Sequence, residues 1–149
     1  MAIVTLSEER IINATPTQVY QALINFRNYH LWNPWVREAD GNARVGGSVK
    51  VAIDLGRNKL EHYNHNILAC ETDRYFAWED KGWFTLFAKG SRHRYLQLTE
   101  EGSTLYKVEL PIHGIFANVA HKKFGQAMAS GLAAEADGLK KFCEKSPSI

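Results

Sequence analysis

Hydrophobic residues alternate with polar ones in two segments of the chain, 47–55 and 104–112. Successive side chains of a strand point to opposite faces, so this alternation predicts two strands that each bury one face. We expect both buried faces to point into the core. Their residues are Val49, Val51, Ile53 and Leu55 in the first segment and Tyr106, Val108, Leu110 and Ile112 in the second.

Gly, Asn and Asp residues divide the region around these segments into short units typical of strands and turns. No connection is long enough for a crossover helix, so the pattern predicts antiparallel hairpins. Turns are expected at 41–42, 56–58 and 100–102. The predicted strands span about residues 3–12, 35–40, 47–55, 59–69, 74–81, 84–98 and 104–112, with Gly90 as an alternative break in the sixth.

Two short helices are predicted between the first and second strands. Thr15 is a suitable N-cap, Pro16 stands at the first helical position, and Gln18 completes a capping box. A second short helix is expected at 25–31. It ends ahead of Pro34 because proline disfavours a helical conformation in the residue before it.

Helical periodicity returns at about residues 118–144, a length of roughly 40 Å that is enough to cross the sheet. Several residues on its apolar face are small, among them Gly131 and Gly138. Either the sheet packs closely against the helix there, or the missing side-chain volume is space for a ligand. The apolar face comprises Ala120, Phe124, Ala127, Met128, Gly131, Leu132, Gly138, Leu139 and Phe142.

Glu135 falls near the centre of this apolar face. A buried carboxylate needs a partner or undergoes an upward shift of its pKa. Three explanations are open: Glu135 reaches the open end of a cavity, it pairs with an Arg or His that points inward from the sheet, or the phase of the helix is displaced by one position. We favour pairing, because ionic networks of this kind are most often structural.

Composition and charge narrow the class of protein. The 149 residues are expected to form one domain, 1–149, and 45% of them are hydrophobic. Eighteen basic and sixteen acidic residues leave a net charge of +2, which is too weak to favour a nucleic-acid partner. No apolar run approaches the roughly 20 residues of a membrane span, and the first residues lack the features of a secretion signal. We therefore expect a cytoplasmic protein without an integral membrane segment.

The sequence contains no metal or cofactor signature. Cys70 and Cys143 are the only cysteines, and they have no zinc-like spacing. His62 and His65 are three positions apart in a predicted strand, so they point to opposite faces and do not suit a metal pair. Phosphate-loop, dinucleotide and nucleophile-elbow motifs are absent. We expect no metal and no cofactor, and we assign no catalytic residue.

The predicted order of elements and several segments resemble the helix-grip fold of the START-like (SRPBCC) superfamily. The similarity is to its bacterial branch of polyketide cyclases, dehydrases and lipid transport proteins, and it spans nearly the whole chain. It implies an α+β fold in which a curved antiparallel sheet of about seven strands surrounds a long C-terminal helix and encloses an apolar cavity. The matching segments are Ile12–Leu23, Tyr29–Pro34, Phe76–Trp78, Gly90–Tyr95, Gly102–Thr104 and Pro111–Gly114.

Polar residues on the last two strands are the best candidates for chemistry. If Tyr106 and Val108 face the cavity, the neighbouring strand adds either His93 and Tyr95 or the two arginines that alternate with them. We favour His93 and Tyr95, because aromatic and imidazole groups suit a largely apolar pocket.

The resemblance implies that the cavity binds a small hydrophobic ligand, such as a lipid, an isoprenoid or an aromatic or polyketide-like metabolite. A cyclase or dehydratase that uses His93, Tyr95 or Tyr106 as acid or base is one alternative. An interaction module similar to activators of the Hsp90 ATPase is another. The expected ligand-binding residues are Trp32, Val51, Ile53, Trp78, His93, Tyr95, Tyr106, Val108, Phe124, Met128, Gly131 and Glu135.

Overall fold

In the computed structural model, which describes residues 2–54 and 58–145, seven antiparallel strands form a single curved sheet. The strands are β1 (Ala2–Ile12), β2 (Val36–Gly41), β3 (Ser48–Asp54), β4 (Leu60–Glu71), β5 (Tyr75–Asp80), β6 (Lys89–Leu98) and β7 (Thr104–Gly114). Their spatial order is β1-β7-β6-β5-β4-β3-β2, so the first strand pairs with the last. The other strands follow one another as hairpins, as their short connections predicted.

Three α-helices accompany the sheet in the described part of the chain. They are α1 (Pro16–Ile24), α2 (Tyr29–Trp32) and α3 (Ala117–Lys145), with 3₁₀ turns at Phe26–Asn28 and Trp83–Leu86. No helix among the described residues is both long and apolar enough to cross a bilayer. The architecture is the predicted one, a seven-stranded antiparallel sheet packed against a long C-terminal helix.

The predicted start of α1 is confirmed. The Gln18 amide donates to Thr15 Oγ1 at 3.2 Å, and the Thr15 amide donates to Gln18 Oε1 at 2.8 Å. Pro16 is the first helical residue. The capping box thus satisfies two amides that a helix terminus leaves without intrahelical partners.

Two predicted boundaries differ from the structure. A 3₁₀ turn precedes the sixth strand, which begins only at Lys89, beside the alternative break at Gly90. The second helix is divided into a 3₁₀ turn and α2, and it ends where Asn33 becomes extended (φ −98°, ψ 107°) ahead of Pro34. Leu55 and most of the predicted turn at 56–58 lie outside the described residues.

The inner faces of β3 and β7 are confirmed, since every described residue of the two predicted sets is less than a tenth exposed. The core therefore lies between this side of the sheet and the helices. The buried members are Val49, Val51, Ile53, Tyr106, Val108, Leu110 and Ile112.

The buried side of α3 differs from its predicted apolar face. Phe124 and Met128, in the first half of the helix, are only partly buried. Ala136 and Cys143, which lie outside the predicted face, are buried in the second half. The second half packs into the core, whereas the first half borders open space.

Close packing accounts for two small residues of α3. A Cβ atom on Gly131 would lie 2.4 Å from the Trp35 ring, and one on Gly138 would lie 2.2 Å from the Trp32 carbonyl oxygen. Non-bonded atoms do not approach so closely in a packed interior, so both positions require glycine. The alternative that Gly131 leaves volume for a ligand is therefore wrong.

Candidate functional site

A partly open cavity of about 330 Å³ lies between the inner face of the sheet and the first half of α3. This volume is within the range of small-molecule sites. The wall is mainly apolar, and its polar groups are confined to a few positions. The lining residues are Trp35, Ile53, Tyr63, His65, Trp78, Asp80, Ala88, Gly90, Ser91, Arg92, Leu110, Ile112, Ala120, Phe124 and Met128.

Regular spacing positions much of the apolar wall. Ala120, Phe124 and Met128 recur at every fourth residue, which places them on one side of α3. Leu110 and Ile112 are two residues apart on β7 and therefore share its inner face. The same periodicities that define the core also define the cavity.

His65 on β4 and Asp80 on β5 form one polar pair in the wall. They are opposite each other in the strand register, and His65 Nε2 lies 3.1 Å from Asp80 Oδ1. This hydrogen bond requires the proton on Nε2 and leaves the lone pair on Nδ1. Burial lowers the pKa of His65, and the opposing effect of Asp80 does not restore it, so the imidazole is neutral at pH 7.

Two arginines of β6 share one carboxylate of α3 beside the cavity. Arg92 Nη1 donates to Glu135 Oε2 at 3.1 Å, and Arg94 Nη2 donates to Glu135 Oε1 at 3.2 Å. Asn33 Nδ2 donates to Oε2 at 2.9 Å. All four residues are at most 5% exposed. We call Arg92, Glu135 and Arg94 the Arg–Glu–Arg cluster. Glu135 is therefore paired with residues of the sheet, as the favoured explanation predicted, and its partners are arginines.

The charges of the Arg–Glu–Arg cluster do not cancel. Burial would raise the pKa of Glu135, but Arg92, Arg94 and Asn33 outweigh that effect and hold it below its ordinary value. Burial lowers the pKa of Arg92, yet a guanidinium remains protonated in a protein. Two positive charges therefore face one negative charge.

Tryptophan rings enclose the two guanidiniums. Arg92 Cζ lies 4.3 Å from the ring centroid of Trp35 and 5.2 Å from that of Trp78. Arg94 Cζ lies 4.2 Å from the Trp78 ring. A cation over an indole face is attracted by the ring quadrupole, and this attraction offsets part of the desolvation cost.

Asn33 connects the cluster to the sheet. Its side-chain oxygen accepts hydrogen bonds from the backbone amides of Trp35 (3.0 Å) and Val36 (2.8 Å), while its amide nitrogen donates to Glu135. Asn33 thereby fixes the turn between α2 and β2 and places Trp35 against the cavity. The Trp-Asn-Pro segment has a structural role in this arrangement.

Four of the predicted ligand-binding residues line the cavity: Ile53, Trp78, Phe124 and Met128. Trp32 instead stacks on Phe142 with ring centroids 6.4 Å apart. Those that are buried but absent from the cavity wall are Trp32, Val51, Tyr106, Val108, Gly131 and Glu135.

His93 and Tyr95 lie on the outer face of the sheet, so the preferred orientation of β6 is wrong. Tyr95 is 40% exposed and stacks on Tyr75 with ring centroids 4.9 Å apart. His93 is partly buried, with Nδ1 2.5 Å from the Tyr75 hydroxyl and Nε2 2.9 Å from Ser91 Oγ. The arginines point inward because Glu135, which Asn33 holds in place, accepts hydrogen bonds from both of them.

Sequence reasoning missed Trp35, His65, Asp80 and Arg92 as lining residues. On β6, one signal for the inward direction of the arginines was present, because Arg92 and Arg94 share a face with Leu96, which is apolar and buried. His93 and Tyr95 instead alternate with Gln97, whose exposed position marks the outer face. On β4, two-residue spacing from buried Ile67 would have placed His65 inside.

Metal-ligating side chains are not clustered in the described part of the chain: no group of three or more His, Cys, Asp or Glu residues is placed to hold an ion. The residues of the cavity wall instead include one histidine, one aspartate, one arginine and the hydroxyl-bearing Ser91 and Tyr63 among apolar groups. Such a wall suits an organic molecule with few polar atoms.

Comparison with known proteins identifies the fold. The sequence matches no protein-family model and no curated protein. The Zhui aromatase/cyclase from Streptomyces sp. R1128 is 9% identical, with a TM-score of 0.80 over 97% of this chain and 95% of that chain. Norcoclaurine synthase from Thalictrum flavum, in complex with dopamine and hydroxybenzaldehyde, is 13% identical, with a TM-score of 0.75 over 99% and 90%. A protein of unknown function from Staphylococcus aureus is 13% identical, with a TM-score of 0.75 over 96% and 94%.

At sequence identities this low, the TM-scores establish a shared fold only. Function therefore has to be argued from the site. The three alignments cover 96%, 99% and 97% of this chain. The chain has the helix-grip fold, in which a curved antiparallel sheet packs against a long C-terminal helix.

Proposed function

We propose that this protein binds a small hydrophobic molecule, such as a lipid, an isoprenoid or an aromatic metabolite, in the cavity between the sheet and α3, without transforming it. The observation that carries the proposal is the cavity itself, about 330 Å³ in volume with a predominantly apolar wall. Burial of an apolar ligand there is favoured by roughly 25 cal/mol for each Å² removed from water.

The structural neighbours support this proposal at the level of scaffold. The complex of norcoclaurine synthase with dopamine and hydroxybenzaldehyde is one case in which a chain of this shape holds small aromatic molecules. Tryptophan side chains are suitable contacts for such molecules, and Trp35 and Trp78 are both in the cavity wall.

Native mass spectrometry of protein purified under mild conditions tests the proposal directly. We expect an additional mass from a copurifying apolar molecule. Titration with hydrophobic probes should also change the fluorescence of the cavity tryptophans. A cavity that takes up none of a broad set of lipids and aromatic compounds would contradict the proposal.

A cavity-filling substitution locates the bound molecule. Ala120→Phe places a ring in the cavity, whereas Ser130→Phe adds the same ring at an exposed position of the same helix. We expect A120F to abolish copurification and probe binding, and S130F to retain both. Equal binding by the two variants would place the ligand elsewhere.

A second candidate function is a cyclase or dehydratase, and the His65–Asp80 pair is the observation that favours it. The hydrogen bond from Nε2 orients the imidazole and leaves Nδ1 buried without a partner among the described residues. In this candidate function, Nδ1 accepts a proton from a substrate in the cavity. This pair replaces His93 and Tyr95, whose outer position argues against their use as acid or base.

Incubation with poly-β-ketone thioester surrogates, followed by mass spectrometry, tests the second candidate. This candidate predicts turnover that His65→Gln abolishes with little change in ligand affinity and that His93→Gln retains, whereas the first proposal predicts no turnover. Turnover that survives His65→Gln would exclude this pair as the catalytic base.

The third function, an interaction module similar to Hsp90 activators, gains no specific support. The exposed rings of Phe87 and Phe116 have centroids 5.8 Å apart, but Phe87 directly precedes Ala88, a residue of the cavity wall. An independent protein-binding surface would be expected away from the cavity.

A further inference from the structure

Arg92 is the positively charged residue that the described structure places in the cavity wall, and it is 5% exposed. Its Nη1 donates to Glu135, but its Nε has no hydrogen-bond partner among the described residues. A buried guanidinium nitrogen without an acceptor carries a full desolvation cost. An acceptor supplied by the ligand would remove that cost.

The charge balance around Arg92 indicates what kind of acceptor is favoured. Arg92 and Arg94 share the single carboxylate of Glu135, so the Arg–Glu–Arg cluster retains one positive charge. Buried charges are normally paired. An anion that enters the cavity would complete the pairing.

Asp80 does not supply this second negative charge to the guanidiniums. Its Oδ1 lies 3.1 Å from His65 Nε2, and its Oδ2 accepts the Gly90 amide at 2.8 Å. Its side chain is also 31% exposed, so solvent screens its charge more than that of Glu135. Both carboxylate oxygens of Asp80 therefore already accept hydrogen bonds from groups of the sheet.

We propose that the ligand of this cavity carries a carboxylate, that Arg92 binds this carboxylate, and that the rest of the ligand occupies the apolar wall formed by Leu110, Ile112, Phe124 and Met128. This inference rests on the proposed function, because it assigns a chemical class to the same bound molecule. Guanidinium and carboxylate match in shape and charge, and such charge-assisted bonds are about twice as strong as neutral ones.

Matched probes separate the carboxylate from the hydrophobic part. Binding of 3-phenylpropanoic acid and decanoic acid is compared with that of 3-phenylpropan-1-ol and 1-decanol by calorimetry at pH 7.5, where both acids are ionised. We expect at least one acid to bind tenfold or more tightly than its alcohol. Alcohols that bind as tightly as their acids would overturn the inference while leaving cavity binding intact.

Two arginine variants assign the preference to one residue. Arg92→Met and Arg94→Met each remove one guanidinium from Glu135, but only Arg92 lines the cavity. We expect R92M to lose the preference for acids and R94M to keep a weaker one, because R94M removes the excess positive charge but leaves the Arg92 guanidinium in the cavity wall. An R92M protein that still prefers acids would contradict the proposal. Arg92→Lys retains the charge, so it should keep a reduced preference even if R92M folds poorly.

Binding at high salt and binding to a cavity-filled variant test whether the acids bind at the protein surface instead of in the cavity. A preference that arises at exposed lysines such as Lys122 should disappear at about 1 M NaCl, where the Debye length is about 3 Å. We expect the preference to persist there, and its loss would overturn the inference. Ala120→Phe should block acids and alcohols alike. If these four probes and a broad set of other lipids and aromatic compounds all fail to bind the unmodified protein, the proposed function itself fails, and this inference fails with it.

Discussion

The inner face of β6 presents two arginines, whereas its outer face presents an imidazole and a phenol ring, although these residues alternate along one strand. Arg92 and Arg94 are at most 5% exposed, while Tyr95 is 40% exposed. Hydropathy alone favours the reverse arrangement, with the aromatic pair inside. The structure reverses it because the buried carboxylate of Glu135 and the faces of the tryptophan rings lie on the inner side.

The comparison shows that burial of a charged side chain depends on its partners. On the inner face, Glu135 and Asn33 offer hydrogen bonds and Trp78 offers a ring face. A buried ion pair is retained when its hydrogen bonds offset the loss of hydration. On the outer face, Tyr75 stacks on Tyr95, and the Tyr75 hydroxyl pairs with His93 Nδ1.

The largest effect should come from removing the shared carboxylate. Glu135→Gln leaves two buried guanidiniums without a counter-charge, and we expect it to lower the free energy of unfolding by about 3–5 kcal/mol. Urea denaturation measures this loss. Glu109→Gln is the matched control, because Glu109 is opposite His93 in the strand register and only partly buried; its cost should stay within about 0.5 kcal/mol. Equal losses of unfolding free energy in E135Q and E109Q would contradict a special role of the inner carboxylate.

Removal of one arginine should cost less than removal of the carboxylate. Arg94→Met leaves Arg92 opposite Glu135, so that one charge faces one charge. We expect a loss of about 2 kcal/mol, typical of a hydrogen bond to a charged group. Urea denaturation of R94M and E135Q shows which of the two variants loses more unfolding free energy. If R94M were as damaging as E135Q, charge balance would not explain the inner face.

The pH dependence of stability should report the ionisation of the inner carboxylate, Glu135. The pKa of Glu135 is 4.5 in an unfolded chain and lower in the folded protein. The unfolded state therefore binds more protons as pH falls below 4.5, and the stabilisation by Glu135 is lost through the folded pKa. The difference in unfolding free energy between the unmodified protein and E135Q should shrink over this range. A difference that stays constant down to pH 3 would argue against an ionised Glu135.

The smallest effect is expected on the outer face. Tyr95→Ser removes the ring that stacks on Tyr75, and such cross-strand pairs contribute about 0.2–1 kcal/mol. Thermal or urea denaturation should therefore show a loss below about 1 kcal/mol. Tyr95→Phe keeps the stacking and should be nearly neutral. A loss as large as that of R94M would reveal a further role for this surface.

Local patterns were sufficient for most of the fold. The capping box at Thr15 and Gln18 involves residues three positions apart, and the inner faces of β3 and β7 follow from two-residue alternation. Interactions of this range are fully contained in a short segment, so they can be predicted from it. Four predicted ligand-binding residues, all of them apolar or aromatic, also lie in the cavity wall.

The polar part of the site could not be predicted in the same way. Which face of β6 points inward depends on Glu135, more than forty residues away, and on Asn33, which is 102 residues from Glu135. His65 becomes a cavity residue only through its register with Asp80 on the next strand. The small residue Gly131 could be assigned to packing only when the Trp35 ring was found above it.

The sequence by itself determined the order of strands and helices, the start of α1 and the apolar inner faces, because hydrophobic periodicity and capping act over a few residues. The tertiary structure alone decided that the two arginines of β6 are buried, that His65 and Asp80 pair, and that a cavity remains beside Arg92. The physical reason is that the cost of burying a charge is set by partners brought from distant parts of the chain.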